Sequence, residues 1–206
     1  GRGMILPGNF IPLFEKSELI VKLDRYMFEH ACRWYRIHLE RGGSPVSLAV
    51  NVSKAGLFQN DFVDFYTDIK DKYSVPDGVL ELEFTESMLA ADTELFAELV
   101  VNLNARGFIC SLDDFGSGYS SLNLLKNLPI DVLKLDILFF HKSRDIRRER
   151  IVVSNVINMA RELNIKTIAE GVEDMDTVEF LRKAGCNVIQ GYVFAKPCLR
   201  RILNIC

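Results

Sequence analysis

Short apolar segments alternate with helical segments along this 206-residue chain, and that alternation constrains the fold more than any other feature. The apolar segments are typical of strands, and the segments between them carry apolar residues at the three- and four-residue spacing of amphipathic helices. Strands that alternate with helices of this length form a parallel sheet with crossover helices. The predicted strands cover residues 46–52, 79–84, 108–112, 132–135, 166–169 and 187–193.

Capping and breaking residues bound the predicted helices. A helix capped by Ser17 runs until the sequence GGSP at 42–45 breaks it. Gly107 and Gly185 are predicted C-terminal caps. Further helices are expected at 60–73, 120–128 and 174–184. Another begins at residue 92 or 93 and ends at Gly107, and a last one follows the charged stretch 142–150 and ends near residue 163. No linker divides the chain, so we expect residues 1–206 to form a single domain.

Each predicted strand stays apolar until its carboxyl end and then delivers a polar side chain suited to metal binding or proton transfer. Active sites of (β/α)8 barrels lie at this end of the strands. An open, doubly wound sheet binds ligands mostly at one switch point, so contributions from all six strands favour the barrel. For Asn51, Glu86 and Asp136, a turn, capping or solvent-facing role is an open alternative. The polar residues are Asn51, Glu83, Glu86, Asp113, Asp114, Lys134, Asp136, Glu170, Glu173 and Gln190.

Composition excludes several classes of function. The formal net charge of −3 argues against a basic surface for nucleic acid, and no apolar run reaches the length of a membrane span. The five cysteines lack CxxC spacing, which favours reduced thiols over disulfides or a zinc site. We therefore expect a cytoplasmic domain, alone or as the cytoplasmic part of a membrane-anchored protein, that itself contacts neither a nucleic-acid polymer nor a membrane.

The adjacent carboxylates of Asp113 and Asp114 point to a bound cation, because two such groups repel each other unless a cation relieves the repulsion. With Glu83 and Asn51, the donor atoms suit Mg²⁺ or Mn²⁺. This set fits a metal-activated water that attacks a phosphate ester, with Lys134 either positioning that water or offsetting charge on the phosphate oxygens. A metal-dependent enzyme acting on phosphosugars is an open alternative at this point.

Several motifs together resemble a known family. The segments DDFGSGYSSL, KLD, AEGVE and QGY occur in this order, with NVS and ELEFTES upstream and PGNFIPLFE near the start. They resemble the EAL family of cyclic di-GMP phosphodiesterases over essentially the whole chain. The resemblance implies a modified TIM (β/α)8 barrel that hydrolyses cyclic di-GMP to linear pGpG.

The resemblance also implies the metal ligands. Asn51, Glu83 and Asp113 match ligands of the family, with Asp113 bridging two Mg²⁺ or Mn²⁺ ions and Asp114 binding the second. Glu170 matches a glutamate near the second ion and the catalytic water, whose role as base or as ligand is open.

Two further residues match positions around the reacting water and the nucleotide. Lys134 matches the lysine that contacts the catalytic water, so Lys134 and Glu170 are the expected catalytic residues. Gln190 matches the last polar residue of the site, and we expect it to bind substrate together with Asp136.

A loop and one glutamate match the family segment that couples dimerisation to activity. We expect a homodimer in which Glu173 holds this loop, and we expect fusion to diguanylate cyclase or sensor domains. The loop residues are Phe115, Gly116, Ser117, Gly118, Tyr119 and Ser120.

One family feature lies outside this sequence. The glutamate of the EAL tripeptide is expected on a strand just before Gly1, so we expect an N-terminally incomplete barrel trimmed from a longer protein. Its absence leaves two alternatives to the enzyme: a catalytically inactive receptor that binds cyclic di-GMP and signals to an attached domain, and a structural barrel that binds no nucleotide.

Overall fold

The computed structural model describes residues 5–17, 19–89, 93–115, 122–136 and 145–196. Six strands alternate with helices in this part of the chain. The strands are β1 (Leu48–Asn51), β2 (Leu80–Thr85), β3 (Ile109–Phe115), β4 (Val132–Leu135), β5 (Lys166–Ala169) and β6 (Val188–Ile189). The described helices are α1 (Pro7–Glu15), α2 (Leu19–Glu40), α3 (Lys54–Leu57), α4 (Phe62–Lys72), α5 (Glu86–Leu89), α6 (Thr93–Ala105), α7 (Leu122–Asn127), α8 (Ile146–Glu162) and α9 (Met175–Ala184).

The strands pair in the order in which they occur along the chain. Hydrogen bonds join them into one sheet with the order β1-β2-β3-β4-β5-β6. The pairs β1–β2, β4–β5 and β5–β6 are parallel. Parallel neighbours need a crossover connection, and the helices between the strands supply it. The predicted α/β class is therefore confirmed.

Contacts divide the chain into two compact units. The first comprises residues 1–111 and 123–129, and the second comprises residues 112–122 and 130–206. In the first unit, the ring of Phe84 on β2 packs edge-on against Phe96 of α6, with 5.1 Å between ring centroids. The rings of Phe28 on α2 and Tyr66 on α4 lie 4.3 Å apart. These aromatic contacts cover the apolar face of the first strands.

The second unit buries the apolar face of its own strands against α8. Leu133 and Leu135 of β4 are fully buried, as are Val153 and Ile157 of α8. Asp145 caps α8, because its Oδ1 accepts a hydrogen bond from the backbone N–H of Arg147 at 3.0 Å. The helix thus begins inside the charged stretch that we expected to precede it.

Other differences from the predicted elements concern the ends of strands. The bounds of β4 and β5 match those predicted, but β3 continues through Asp113 and Asp114 to Phe115, and β6 is only two residues long. The short helices α1, α3 and α5 were not predicted, since each is too short or too rich in proline for a clear period. No described helix is long and apolar enough to cross a membrane.

A buried lysine links the entrances to β2 and β3 within the first unit. Lys70 is 6% exposed, and its Nζ lies 2.5 Å from Asp77 Oδ1. The backbone N–H of Gly78 donates to the carbonyl oxygen of Gly107 at 2.8 Å. A Cβ atom on Gly107 would lie 2.1 Å from Asp77 Oδ1. The ion pair therefore depends on the absence of a side chain at Gly107.

We expect Gly107→Ala to lower the free energy of unfolding more than Gly78→Ala does. Both glycines have left-handed φ values, +81° and +75°, where a Cβ costs about 1–2 kcal/mol. A Cβ on Gly78 would have no atom within 4 Å. Only Gly107→Ala also displaces Asp77 from Lys70, which adds about 1–3 kcal/mol. Urea unfolding measures both variants, and equal losses would contradict the contact assigned to Asp77.

Candidate functional site

The register of β1 and β2 brings two predicted metal ligands side by side in the first unit. Asn51 is the Cα partner of Glu83, and the next amide, Val52 N–H, donates to the carbonyl oxygen of Glu83 at 3.0 Å. Asn51 is exposed, whereas Glu83 is only 6% exposed. Paired residues of parallel strands project from the same face of the sheet, so an amide oxygen and a carboxylate share one face.

Alternation along β2 places a second glutamate on the same face as Glu83, and the sequence analysis missed it. Glu81 is 8% exposed, and its Oε1 is buried with no hydrogen-bond partner among the described residues. Leu80, Leu82 and Phe84 point to the opposite face and are fully buried. The signal was the strict Leu-Glu-Leu-Glu alternation at 80–83, which indicates one apolar and one polar face even inside a buried strand.

The second unit brings both predicted catalytic residues into direct contact. Lys134 pairs with Ile168 across β4 and β5, so Glu170, two residues further on, projects from the same face as Lys134. Lys134 Nζ lies 2.7 Å from Glu170 Oε1, with side-chain exposures of 9% and 28%. The backbone N–H of Glu170 donates to the carbonyl oxygen of Leu135 at 2.9 Å, which extends the ladder by one residue and holds the glutamate at the strand end.

Three aspartates form an acidic cluster in the same unit. The backbone N–H of Asp114 donates to Asp113 Oδ1 at 2.9 Å, and Asp114 adopts a left-handed φ of 57°. Partial burial of the Asp114 carboxyl group, together with the negative charges of Asp113, Asp136 and Glu170, raises its pKa. Carboxylates gathered in this way favour a bound cation, because a positive charge would remove the repulsion that raises the pKa.

Gln190 lies directly after β6 and beside β5. Its backbone N–H donates to the carbonyl oxygen of Ala169 at 2.8 Å, and its carbonyl accepts from Val172 N–H at 3.1 Å. A Cβ atom on Gly191 would lie 2.0 Å from the carbonyl oxygen of Val172. The glycine of the QGY motif is therefore required for the close approach of the two backbones that fixes Gln190.

The remaining predicted site residues are Phe115, Glu173, Glu86 and the rest of the regulatory loop. Phe115 ends β3 and is 2% exposed, and Glu173 is exposed in the connection between β5 and α9. Residues 116–120 of the predicted regulatory loop lie outside the described residues. Glu86 is the first residue of α5.

The donor atoms fit a hard divalent cation. Asn51, Glu83, Asp113 and Asp114 offer oxygen atoms, which Mg²⁺ and Mn²⁺ prefer. Within the described residues, no group of three His, Cys, Asp or Glu side chains is arranged as a complete metal site. This is compatible with Mg²⁺, which is usually held by one or two carboxylates together with waters and the phosphate of the substrate.

Comparison with known proteins identifies close relatives. The EAL domain family matches residues 1–197. The chain is 37% identical over 195 residues to the bifunctional diguanylate cyclase/cyclic di-GMP phosphodiesterase MucR of Pseudomonas aeruginosa, covering 95% of the chain and 28% of MucR. It is 36% identical over 197 residues to the cyclic di-GMP phosphodiesterase NbdA of the same species, covering 95% of the chain and 25% of NbdA. The chain thus spans about a quarter of the length of these curated relatives.

A solved structure supports the fold. The structure of the PaMucR phosphodiesterase in complex with c-di-GMP matches with a TM-score of 0.89 at 37% identity, covering 98% of this chain and 82% of that one. This similarity confirms the predicted fold class.

Without divalent cations, we expect Asp114→Asn to raise the melting temperature at neutral pH by a few degrees. Because the pKa of Asp114 is raised in the folded chain, the ionised carboxylate disfavours folding once the pH exceeds that raised value. Asparagine removes the charge and tolerates the left-handed φ. The gain should disappear as the pH falls below the ordinary aspartate pKa of 3.8, where the carboxyl is protonated in both states.

Thermal unfolding across the acidic and neutral range tests this expectation. Asp68→Asn, at an exposed position of α4, provides the control for loss of one negative charge. A difference between wild type and Asp114→Asn that does not change with pH would contradict the electrostatic explanation.

Proposed function

Because the chain belongs to the EAL domain family, we propose that it hydrolyses cyclic di-GMP to linear pGpG with two divalent cations, Mg²⁺ or Mn²⁺. MucR and NbdA, both more than 30% identical to it, are cyclic di-GMP phosphodiesterases by name. A structure that matches almost the whole chain holds c-di-GMP. In the reaction, water forms a new P–O bond, one phosphodiester P–O bond breaks, and the leaving sugar oxygen takes up a proton.

The contact between Lys134 and Glu170 is the observation that carries the proposal. An ammonium group and a carboxylate 2.7 Å apart form a charge-assisted hydrogen bond that orients both groups. A lysine ammonium carries three N–H donors, which suit a phosphate oxygen or a water as well as a carboxylate. Glu170 is partly exposed, so its second oxygen is available to accept a proton from an attacking water.

Asn51 and Glu83 of the first unit, and Asp113 and Asp114 of the second, are proposed as the residues that would bind the cations. Bound divalent cations supply an activated water and stabilise charge that develops on the phosphate oxygens. The raised pKa of Asp114 supports this assignment, because besides burial it reflects repulsion from neighbouring carboxylates that a cation would relieve. Glu170 serves as a ligand or as the base.

Gln190 and Asp136 are proposed to bind the nucleotide. Gln190 is exposed and held at the end of β6 by backbone hydrogen bonds on both sides. Asp136 follows β4 directly and is half-buried. A rigid backbone around a polar side chain favours a fixed position for hydrogen bonding to a ligand.

The assembly is proposed as a cytoplasmic homodimer in which Glu173 and the segment 115–120 couple dimerisation to activity. Among the described cysteines, Cys32, Cys110 and Cys186 are free thiols, which agrees with a reducing compartment. MucR carries diguanylate cyclase activity in the same protein by its name, which supports a fused cyclase or sensor domain in this protein as well.

We expect the full-length protein to convert cyclic di-GMP to pGpG in the presence of Mn²⁺ or Mg²⁺, and chelation of the metal to stop the reaction. Glu170→Gln should reduce kcat by roughly 10²–10⁴-fold, because the amide neither accepts the proton nor pairs with the Lys134 ammonium. Chromatography of the nucleotides measures the turnover, and calorimetry measures binding of cyclic di-GMP.

A surface ion pair in the same unit provides a matched control. Lys183 Nζ lies 2.6 Å from Glu179 Oε1, and both side chains are exposed. Glu179→Gln breaks a lysine–glutamate contact of similar length and should leave kcat unchanged. Binding of cyclic di-GMP without turnover by the wild type would refute the hydrolase and favour the receptor, and the absence of binding would refute both.

A further inference from the structure

A buried aspartate on α2 contacts the chain just after Asn51 and belongs to none of the groups described above. Asp24 is 8% exposed, and its Oδ2 accepts a hydrogen bond from the backbone N–H of Ser53 at 3.0 Å. A carboxylate is expensive to bury unless it is paired or hydrogen-bonded, and here the backbone N–H of Ser53 supplies a hydrogen bond.

The two amides that follow Asn51 are held from two directions. Val52 N–H donates to Glu83 on β2 at 3.0 Å, and Ser53 N–H donates to Asp24 on α2. The backbone on the carboxyl side of Asn51 is therefore fixed both to the neighbouring strand and to the helix that packs on β1.

The same contact continues into α3. Ser53 Oγ accepts a hydrogen bond from Gly56 N–H at 3.0 Å and so caps this short helix. A Cβ atom on Gly56 would lie 2.7 Å from Asp24 Oδ2 and 3.2 Å from Ser53 Oγ. The carboxylate thus occupies the space that a side chain at Gly56 would need. We call Asp24, Ser53 and Gly56 the Asp24 clamp.

We infer that Asp24 is a positioning residue for Asn51, which it holds in place for cation binding through the Asp24 clamp. The inference rests on the proposed function in one respect, the assignment of Asn51 as a metal ligand. Groups that orient a ligand from behind typically change metal affinity about 10–100-fold when removed. Because Asp24 acts through the backbone and not on the ligand atom, we expect a loss near the lower end of that range.

Asp24→Ala in the full-length protein tests the inference with two readouts. Amide hydrogen exchange at residues 53–57 should become faster, since Ser53 N–H loses its acceptor. The affinity for Mn²⁺ alone, measured by titration calorimetry, should fall about tenfold. Asp24→Asn should retain most of the exchange protection at residues 53–57 and most of the Mn²⁺ affinity, because the amide oxygen still accepts a hydrogen bond from Ser53 N–H.

A second variant disturbs the Asp24 clamp without removing the carboxylate. Gly56→Ala inserts a methyl group against Asp24 Oδ2 and should also weaken Mn²⁺ binding. Phe28→Leu is the control: Phe28 lies one turn further along α2, is fully buried and packs on Tyr66. It should lower the free energy of unfolding without changing Mn²⁺ affinity.

The outcomes separate this inference from the proposed function. Wild-type Mn²⁺ affinity in both Asp24→Ala and Gly56→Ala, or an equal loss in Phe28→Leu, would overturn the positioning role alone. A wild-type protein that binds Mn²⁺ neither alone nor together with cyclic di-GMP would overturn the metal-dependent hydrolase, and the positioning role with it.

Discussion

The register between parallel strands determines which side chains of this protein meet. Asn51 faces Glu83 because β1 and β2 pair in that register, and Lys134 reaches Glu170 because β4 pairs with β5 two residues earlier. A shift by one residue would turn each strand over and send these polar groups to the apolar face. The helices packed on that face prevent such a shift, since Leu82, Phe84, Leu133 and Leu135 would lose their buried contacts.

Holding polar groups inside a sheet costs free energy, and the chain offsets this cost differently at each position. Lys134 is paired with Glu170, and Asp24 accepts a hydrogen bond from the backbone N–H of Ser53. At Asp114, burial and the negative charges of Asp113, Asp136 and Glu170 together raise the pKa of the carboxyl group. Stored repulsion of this kind is typical of sites arranged for a ligand of opposite charge. The proposed binding of a divalent cation would relieve the repulsion at Asp114.

Much of the fold follows from local signals in the sequence. The bounds of β4 and β5 match the apolar runs, and Gly185 ends α9 with a left-handed φ of 88°. The motifs also identify the family. Local signals failed where long-range pairing outweighs propensity: β3 continues through two charged residues, and the predicted strand at 187–193 shortens to Val188–Ile189 because the chain turns at Gly191. The sequence did not indicate a role for Asp24, because a single aspartate in a long amphipathic helix has the same local pattern as a solvent-facing residue.

The sequence by itself determined the α/β class, the family and the identity of the polar residues at the strand ends. It could do so because apolar periodicity and motif order are local patterns that can be recognised without knowing the tertiary contacts. Only the tertiary structure decided which of those residues touch. The Lys134–Glu170 ion pair and the hydrogen bond from Ser53 to Asp24 join residues that are distant in the chain. The buried oxygen of Glu81 is recognised only from the burial of its side chain in the folded chain. Strand register and side-chain packing bring such groups together, and neither is encoded by local spacing.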